Sequence, residues 1–528
     1  MLPAMSTRPF HGLDTSSVNA LDPAAAAGQL IMASLPGPTL DRETEALLRE
    51  GHAGAICLFS YNVISLEQLR ELCHALRAAA PGPLLIAADL EGGYVWRLVP
   101  PAIHPPSAMA CGAAGRPELT EALAHAVGTE MSALGIDVNL APAVDVNNNP
   151  ANPVIATRSY GEDPTLVSQH ALAAIRGYRA AGIAACAKHF PGHGDTSQDS
   201  HLTLPSIHHP LDRLRRVELP PFAAAIQAGV EMVMTAHVIF PALDPVLPAT
   251  LSSRILGGLL RDELGFDGVI CSDAMNMDAM KDRWGSVEAS VLSVIAGADM
   301  ICSVAPVPET ESVHAALDDA MRSGRLSVAQ VRRSASRVGH LKERLSGVSQ
   351  PPLGAAGSPT HTNAAANLAA ASITRYGAIA ALPLRPDQCI AVLEVYAGPR
   401  TGAEDTRGLH GRLAEAIRRR APNVSSLLLD SGSLEENLAT ARAVASQADA
   451  VVLATRNAWR SPAQQELLRT IADARQLILV ALRDPYDLRF TPTGAAALAA
   501  YCDVPASIDA VAAALFGAPT PGTLPVTL

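Results

Sequence analysis

The sequence contains few aromatic and few charged residues, and its acidic residues outnumber its basic ones. Aromatic residues make up 4% and charged residues 17%, against 48% hydrophobic residues. The net charge of −11 disfavours nucleic-acid binding, because that function needs a basic surface. No apolar stretch is long and pure enough to span a bilayer. Residues 1–20 lack the basic start and apolar core of a signal peptide, so none is expected.

The cysteines are scattered and form no CxxC pair, which is not the pattern of a disulfide framework or a zinc site. Several of them sit inside apolar runs, as buried free thiols do. Free thiols are typical of a reducing compartment, and we expect a cytoplasmic location. The eight positions are Cys57, Cys73, Cys111, Cys186, Cys271, Cys302, Cys389 and Cys502.

Short apolar runs alternate with amphipathic stretches through the first two-thirds of the chain. Repeated β-then-α units over about 300 residues favour a (β/α)8 TIM-like barrel. A doubly wound sheet is the alternative, but no G-x-G-x-x-G motif follows an early strand. The predicted strands are Gly54–Phe59, Leu84–Asp89, Ile136–Ala141, Ile183–Lys188, Met232–His237, Val269–Asp273 and Asp299–Cys302, with one more near Leu30–Leu35. The predicted helices include Pro117–Leu134, Pro164–Ala181, Leu211–Ala228, Val287–Ala296 and Ser327–Ser346.

At 528 residues the chain is too long for one ordinary core, so we expect a second domain. A segment rich in Pro and Gly near residue 350 is typical of a linker. We therefore predict an α/β protein with an N-terminal tail (1–24), a barrel (25–346), a linker (347–364) and a smaller C-terminal α/β sandwich (365–528). Strands of the sandwich are predicted at Cys389–Val395, Ser425–Leu429, Ala450–Ala454, Leu477–Leu482 and Ala497–Tyr501.

Ionisable side chains stand where five predicted barrel strands end. They are Asp89, Asp145, the pair Lys188–His189, His237 and Asp273. An acid that follows a strand is often only a helix cap. In barrels, however, the active site lies at the carboxyl ends of the strands. Their joint occurrence therefore predicts a polar catalytic pocket at that face.

Asp273 is the strongest single candidate. It follows Val269–Cys271, which should be buried, so its carboxylate would emerge from an apolar strand into the barrel mouth. The residue types leave two interpretations open. Asp273 is either a nucleophile or general base, or the N-cap of the next helix.

The segment 188–201 concentrates one lysine, three histidines and two aspartates in a loop broken by Pro191 and Gly192. His189 and His193 are four residues apart, a zinc-ligand spacing only on a helix, and the helix is interrupted between them. Asp199 and His201 are two apart and would point to the same side of an extended segment. A carboxylate beside an imidazole raises its pKa and makes it a proton donor near neutral pH. The alternative is a pair of solvated loop residues.

The run from Lys188 to Thr196, continued by Asp199–His201, resembles the signature of family 3 glycoside hydrolases, in particular their β-N-acetylglucosaminidase branch. Further blocks are similar and stand in the family's order between residues 25 and 345. They are Asp89–Gly93, Asn139–Asn147, Asn152–Ile155, Arg158–Pro164 and Gly265–Met275. Gly522–Thr527 also resembles the closing segment of the family's second domain.

The resemblance implies a retaining double displacement. Asp273 would be the nucleophile, His201 the general acid and base, and Asp199 the residue that orients His201. The substrate-binding residues that it implies are Asp89, Arg97, Arg158, Lys188, His189 and Met275. It implies no cofactor and no metal.

One departure concerns the block after Gly93, where the family usually has Arg, Val, Gln, Arg. Here the residues are Tyr94, Val95, Trp96 and Arg97. The two aromatic side chains would either pack in the core or shape the pocket. The departure bears on the substrate and not on the reaction.

The expected function is an exo-acting β-N-acetylhexosaminidase that releases N-acetylglucosamine from chitin- or peptidoglycan-derived fragments. A phosphorylase or a β-glucosidase of the same fold is the alternative, since a neutral histidine repels an attacking phosphate less than a carboxylate does. A non-catalytic sugar-binding protein is the alternative of another class. The expected partner is a small glycoside, without nucleic acid or membrane, and the expected assembly is a monomer or homodimer.

Overall fold

The computed structural model describes residues 22–197, 204–378, 382–406 and 408–528. Its first domain is a closed barrel of eight parallel strands, which confirms the predicted fold. The first strand pairs with both the second and the last, so the sheet has no free edge. In chain order the barrel strands are Ile31–Ala33, Ala55–Leu58, Leu85–Ala88, Val138–Asn139, Ala184–Phe190, Met232–Thr235, Val269–Ala274 and Met300–Ser303.

The helices cover the outside of the barrel and bury apolar faces against it. They are Pro23–Gly28, Arg42–Arg49, Leu66–Ala79, Ala108–Ala114, Pro117–Leu134, Pro164–Ala180, Leu211–Arg216, Leu219–Gln227, the π-helix Arg254–Glu263, Asp278–Trp284, Ser286–Ala296, Val307–Arg322 and Val328–Ser346. A two-stranded hairpin, Ile239–Phe240 with Asp244–Pro248, follows the sixth barrel strand. No helix in the described ranges has both the length and the apolar character that crossing a membrane requires.

The prediction of one helix over Leu211–Ala228 was wrong. The structure has two helices there, Leu211–Arg216 and Leu219–Gln227. Pro220 and Pro221 lie in the first turn of the second helix. Because proline has no backbone N–H and fits only the first turn, the chain must restart a helix at this point.

The alternation of side chains along the barrel strands determines which polar residues face the open end of the barrel. Side chains two residues apart on a strand point to the same side. On the third, fifth and seventh strands a buried interior residue is followed two positions later by an ionisable one. These pairs are Ala87 and Asp89, Cys186 and Lys188, and Cys271 and Asp273. We call Asp89, Lys188 and Asp273 the inward row; they continue the packed interior into the open end of the barrel.

The second domain is built on a six-stranded sheet whose core is separate from the barrel interior. In the order in which they pair, its strands are Thr374–Gly377, Ala496–Ala499, Leu477–Ala481, Ala450–Thr455, Ile390–Tyr396 and Val424–Asp430. The first of these is antiparallel to its neighbour and was not predicted from the sequence. Helices Arg412–Arg418, Leu438–Ser446, Pro462–Thr470 and Pro505–Leu515 accompany the sheet. This confirms the predicted α/β sandwich.

The segment predicted as a linker is partly helical. Ser358 caps helix Pro359–Ser372, which begins before the predicted boundary at residue 365. This helix packs on barrel helix Pro117–Leu134 and on Pro505–Leu515 of the second domain. It therefore packs against both domains in addition to connecting them along the chain.

Candidate active site

A cavity of about 300 Å³ opens at the carboxyl ends of the barrel strands. All three members of the inward row line it, together with Arg97, Arg158, His189 and His193. Asp273 lies inside strand Val269–Ala274, and the next helix begins only at Asp278 with Met277 as its cap. The alternative that Asp273 is a helix N-cap is therefore wrong. Its carboxylate faces the cavity, where a substrate could be attacked.

Four charged side chains form a compact network on one wall. Lys188 Nζ donates to Asp89 Oδ1 at 2.6 Å and lies 2.7 Å from Glu91 Oε1. Arg158 binds Glu91 in bidentate fashion, with Nε at 2.9 Å and Nη2 at 2.8 Å from its two oxygens. Such charge-assisted, bidentate pairs fix geometry as well as charge. The network therefore holds Lys188 and Asp89 at the cavity surface in one arrangement.

Glu91 and Lys188 remain ionised although they are buried. Burial raises the pKa of Glu91, but Arg158 and Lys188 outweigh it and hold that pKa well below its usual value. Burial lowers the pKa of Lys188, and Asp89 and Glu91 outweigh it and raise that pKa above its usual value. Each shift favours the charged form beside an opposite charge. Lys188 thus presents a positive charge to the cavity, and Glu91, which does not line the cavity, balances that charge.

Two charged side chains, Asp145 and Arg158, contact the two ring nitrogens of His189. Its Nδ1 lies 2.8 Å from Asp145 Oδ2, and its Nε2 lies 3.3 Å from Arg158 Nη2. Because a guanidinium only donates, Nε2 must accept and Nδ1 must carry the proton. Both ring nitrogens thus have partners within the protein. This arrangement suits a side chain that positions its neighbours rather than a zinc ligand.

Asp145 also shapes the loop that follows the fifth strand. Its Oδ1 accepts from the backbone N–H of His193 at 2.7 Å, and the Asn152 amide donates to the carbonyl oxygens of His193 and Gly194 at 2.8 and 2.9 Å. Burial lowers the pKa of His193 to about 4, so its ring is neutral at pH 7. His193 Nδ1 lies 2.9 Å from the Thr196 hydroxyl. The loop up to residue 197 is therefore held from several sides.

The structure brings six of the nine predicted site residues around the one cavity: Asp89, Arg97, Arg158, Lys188, His189 and Asp273. Arg97 Nη2 is 3.9 Å from Asp89 Oδ2 and lies over the ring of Phe59. The side chain of Met275 is instead buried in the core, and its backbone N–H donates to Cys302 O at 3.0 Å. Asp199 and His201 lie outside the described residues.

Among the groups at this site, Glu91 and the second-domain residues Gly402 and Ala403 were not predicted from the sequence as site residues, and Asp145 was predicted only as one of the polar strand-end groups. Glu91 and Asp145 do not themselves bind in the cavity but hold the residues that line it. Gly402 and Ala403 of the second domain line the cavity directly. Glu91 and Asp145 stood in recognisable acidic blocks, whereas a Gly-Ala dipeptide carries no chemical signal that could have identified it.

The two aromatic departures pack rather than line this cavity. Tyr94 and Trp96 are each 4% exposed. The Trp96 ring stacks on His104, and Tyr94 joins a small cluster with Leu409, Cys502 and Val504. Of the two interpretations, the structure therefore supports packing.

A second, larger cavity of about 730 Å³ lies between residues 96–104 and the second domain. Its wall is mostly apolar, with Arg412 and Asp509 exposed at the rim. It holds none of the inward row. The smaller cavity, which is lined by carboxylate, imidazole and cationic side chains, is therefore the candidate active site.

The chain is similar to known proteins in sequence and in structure. The family described as "Glycosyl hydrolase family 3 N terminal domain" matches residues 25–341. The "Beta-hexosaminidase A" of Pseudoalteromonas piscicida is 38% identical over 378 residues, which cover 66% of this chain and 63% of that protein. The chain thus spans less than two-thirds of that relative's length. A "Beta-hexosaminidase" of Stenotrophomonas maltophilia is 37% identical over 54% of this chain and 86% of its own length.

A solved structure resembles nearly the whole chain. The glycoside hydrolase family 3 β-N-acetylglucosaminidase from Paenibacillus sp. str. FPU-7 superposes with a TM-score of 0.90 at 37% identity, over 96% of this chain and 99% of that one. A β-glucoside phosphorylase superposes with a TM-score of 0.81 at 22% identity. At that identity the likeness concerns the fold alone.

Proposed function

The chain belongs to glycosyl hydrolase family 3, and we propose that it is a retaining, exo-acting β-N-acetylhexosaminidase. Its substrates would be β-linked glycosides with a terminal N-acetylglucosamine, derived from chitin or peptidoglycan. The observation that carries this proposal is that Asp273, the penultimate residue of the seventh barrel strand, shares one cavity with Asp89 and Lys188. The names of the similar proteins support the same substrate class.

The chemistry follows from a carboxylate and a proton donor on opposite sides of a glycosidic bond. In the first step an Asp273 oxygen bonds to the anomeric carbon, the bond to the leaving oxygen breaks, and His201 gives that oxygen a proton. In the second step His201 takes a proton from water, whose oxygen displaces Asp273. Two inversions give net retention, so the first product is the β-anomer. Asp199 would orient His201 and raise its pKa.

The network beside Asp273 suits the hydroxyl groups of the terminal sugar. Each hydroxyl both donates and accepts a hydrogen bond. Asp89 offers an acceptor and Lys188 a donor only 2.6 Å apart, which matches two neighbouring hydroxyls. Arg97, Arg158 and His189 complete this wall. Holding the sugar at several points brings its anomeric carbon to the nucleophile, a large part of catalysis.

Replacement of the nucleophile tests the proposal. With an aryl N-acetyl-β-glucosaminide, we expect Asp273→Asn to lower kcat by at least about 10³-fold, because the covalent route is lost. Asp282→Asn, an exposed acid on the following helix, is the matched control and should keep wild-type turnover. Unchanged turnover in Asp273→Asn would remove Asp273 from this role.

Two further measurements separate the proposal from its alternatives. Acid-quenched wild-type enzyme should gain the mass of one N-acetylhexosaminyl group, and NMR should show the β-anomer forming first. The same reactions with added phosphate distinguish hydrolysis from phosphorolysis by whether a sugar 1-phosphate forms. Faster turnover of the aryl glucoside would indicate a glucosidase, and binding of N-acetylglucosamine without turnover would indicate a non-catalytic protein.

A further inference from the structure

The second domain supplies part of the cavity wall through a short irregular segment. Residues 400–405 follow strand Ile390–Tyr396 and contain no helix or strand. Gly402 and Ala403, at the centre of this segment, line the same cavity as Asp273. This part of the cavity wall therefore depends on how the segment is held.

Buried ion pairs hold the segment from within its own domain. Arg400 Nη1 lies 2.8 Å from Asp484 Oδ2, and the Arg400 backbone N–H donates to Glu404 Oε2 at 2.7 Å. Arg483 pairs with the other oxygen of Glu404. The side chains of Glu404, Arg483 and Asp484 are at most 2% exposed. Because an unpaired buried charge is costly, these pairs allow the segment little freedom.

The barrel holds the same segment through Tyr94. The Tyr94 carbonyl accepts from the Asp405 N–H at 2.7 Å. The guanidinium carbon of Arg483 lies 4.1 Å from the centre of the Tyr94 ring, in the range of a cation–π contact. The Tyr94 hydroxyl is buried and has no hydrogen-bond partner among the residues that the structure describes. Within the Tyr94 side chain, the ring and not the hydroxyl therefore contacts the second domain.

We propose that Tyr94 and Glu404 are positioning residues that set the distance between the Gly402–Ala403 wall and the inward row, and thereby set substrate affinity. This inference rests on the proposed function. Tyr94 supports Arg483 from the barrel side, Arg483 holds Glu404, and Glu404 holds the backbone at Arg400. Neither residue touches the substrate; both act through the wall.

The test compares Tyr94→Ala with Tyr94→Phe. Loss of the ring should raise KM for an aryl N-acetyl-β-glucosaminide about tenfold while kcat changes less than about twofold, because the wall contributes equally to ground-state and transition-state binding. Tyr94→Phe keeps the ring and loses only an unpartnered hydroxyl, so it should keep the wild-type KM. A general structural defect would lower the active fraction, and hence kcat, rather than KM.

Glu404→Gln gives an independent reading if Tyr94→Ala does not fold. It should raise KM in the same way, and the double variant should raise KM less than the product of the two single effects, since both act through Arg483. A wild-type KM in both single variants, or a KM in Tyr94→Phe as high as in Tyr94→Ala, would overturn the inference. Absence of activity in the wild-type enzyme would instead contradict the proposed function.

Discussion

Glu91→Gln is expected to destabilise the protein strongly at neutral pH. The Glu91 side chain is 4% exposed and its carboxylate binds Arg158 at two positions and Lys188 at a third. Each charge-assisted contact contributes on the order of 1.5–3 kcal/mol. Glutamine keeps one oxygen acceptor, so part of this stabilisation remains. Removal of one partner from a buried ion pair costs about 3–5 kcal/mol, and we expect a loss at the lower end, about 3 kcal/mol.

The pH dependence identifies the cause. The pKa of Glu91 is held below its usual value in the folded protein. As pH falls below about 4.5, the unfolded chain takes up this proton before the folded chain does, so the stabilisation by Glu91 is lost. The difference in unfolding free energy between wild type and Glu91→Gln should therefore be full at pH 7 and shrink on acidification below that value. Urea unfolding at a series of pH values measures it. A difference under about 1 kcal/mol at pH 7, or one that stays constant down to pH 3, would refute the reasoning.

Two further predictions concern the loop after the fifth strand. A Cβ on Gly194 would lie 1.7 Å from the carbonyl oxygen of Val146, so Gly194→Ala should lower the unfolding free energy by about 1–3 kcal/mol and reduce turnover. Gly257→Ala, with no atom within 4 Å of its new Cβ, should do neither in the same melting and activity assays. The pKa of His193 is about 4 in the folded protein against 6.5 ordinarily, so the unfolded chain binds this proton first and stability falls as pH drops from 6.5 to 4. His193→Asn should flatten that part of the melting profile; a profile as steep as the wild type's would contradict the burial argument.

The barrel and the inward row were predictable because each depends on local pattern. A buried strand of alternating side chains that ends in an acid or a lysine is visible along the sequence, and a closed barrel brings such ends together. Asp89, Lys188 and Asp273 each have this pattern. Met275 was implied only by the family resemblance and not by this pattern. It lies one residue beyond the strand, which ends at Ala274, and its side chain is buried in the core.

The contribution of the second domain could not be read from the sequence in the same way. Gly402 and Ala403 lie more than 120 positions from Asp273, and neither residue type carries chemistry. Their place at the cavity depends on Arg483, Glu404 and Tyr94, which meet only after both domains have packed. Long-range contacts of this kind leave no periodic signal in a single sequence.

The inward row and the Gly402–Ala403 wall are held in place by different parts of the structure. The inward row stands at the ends of strands of a closed barrel, where neighbouring strands fix each position, and replacement of its proposed nucleophile Asp273 should act mainly on kcat. The Gly402–Ala403 wall is held by side chains that reach across a domain boundary. Changes at Tyr94 or Glu404 can therefore alter affinity while Asp273, Lys188 and Asp89 keep their positions. The departure at Tyr94 from the usual family pattern falls in the part of the site where substrate preference can change without loss of the reaction.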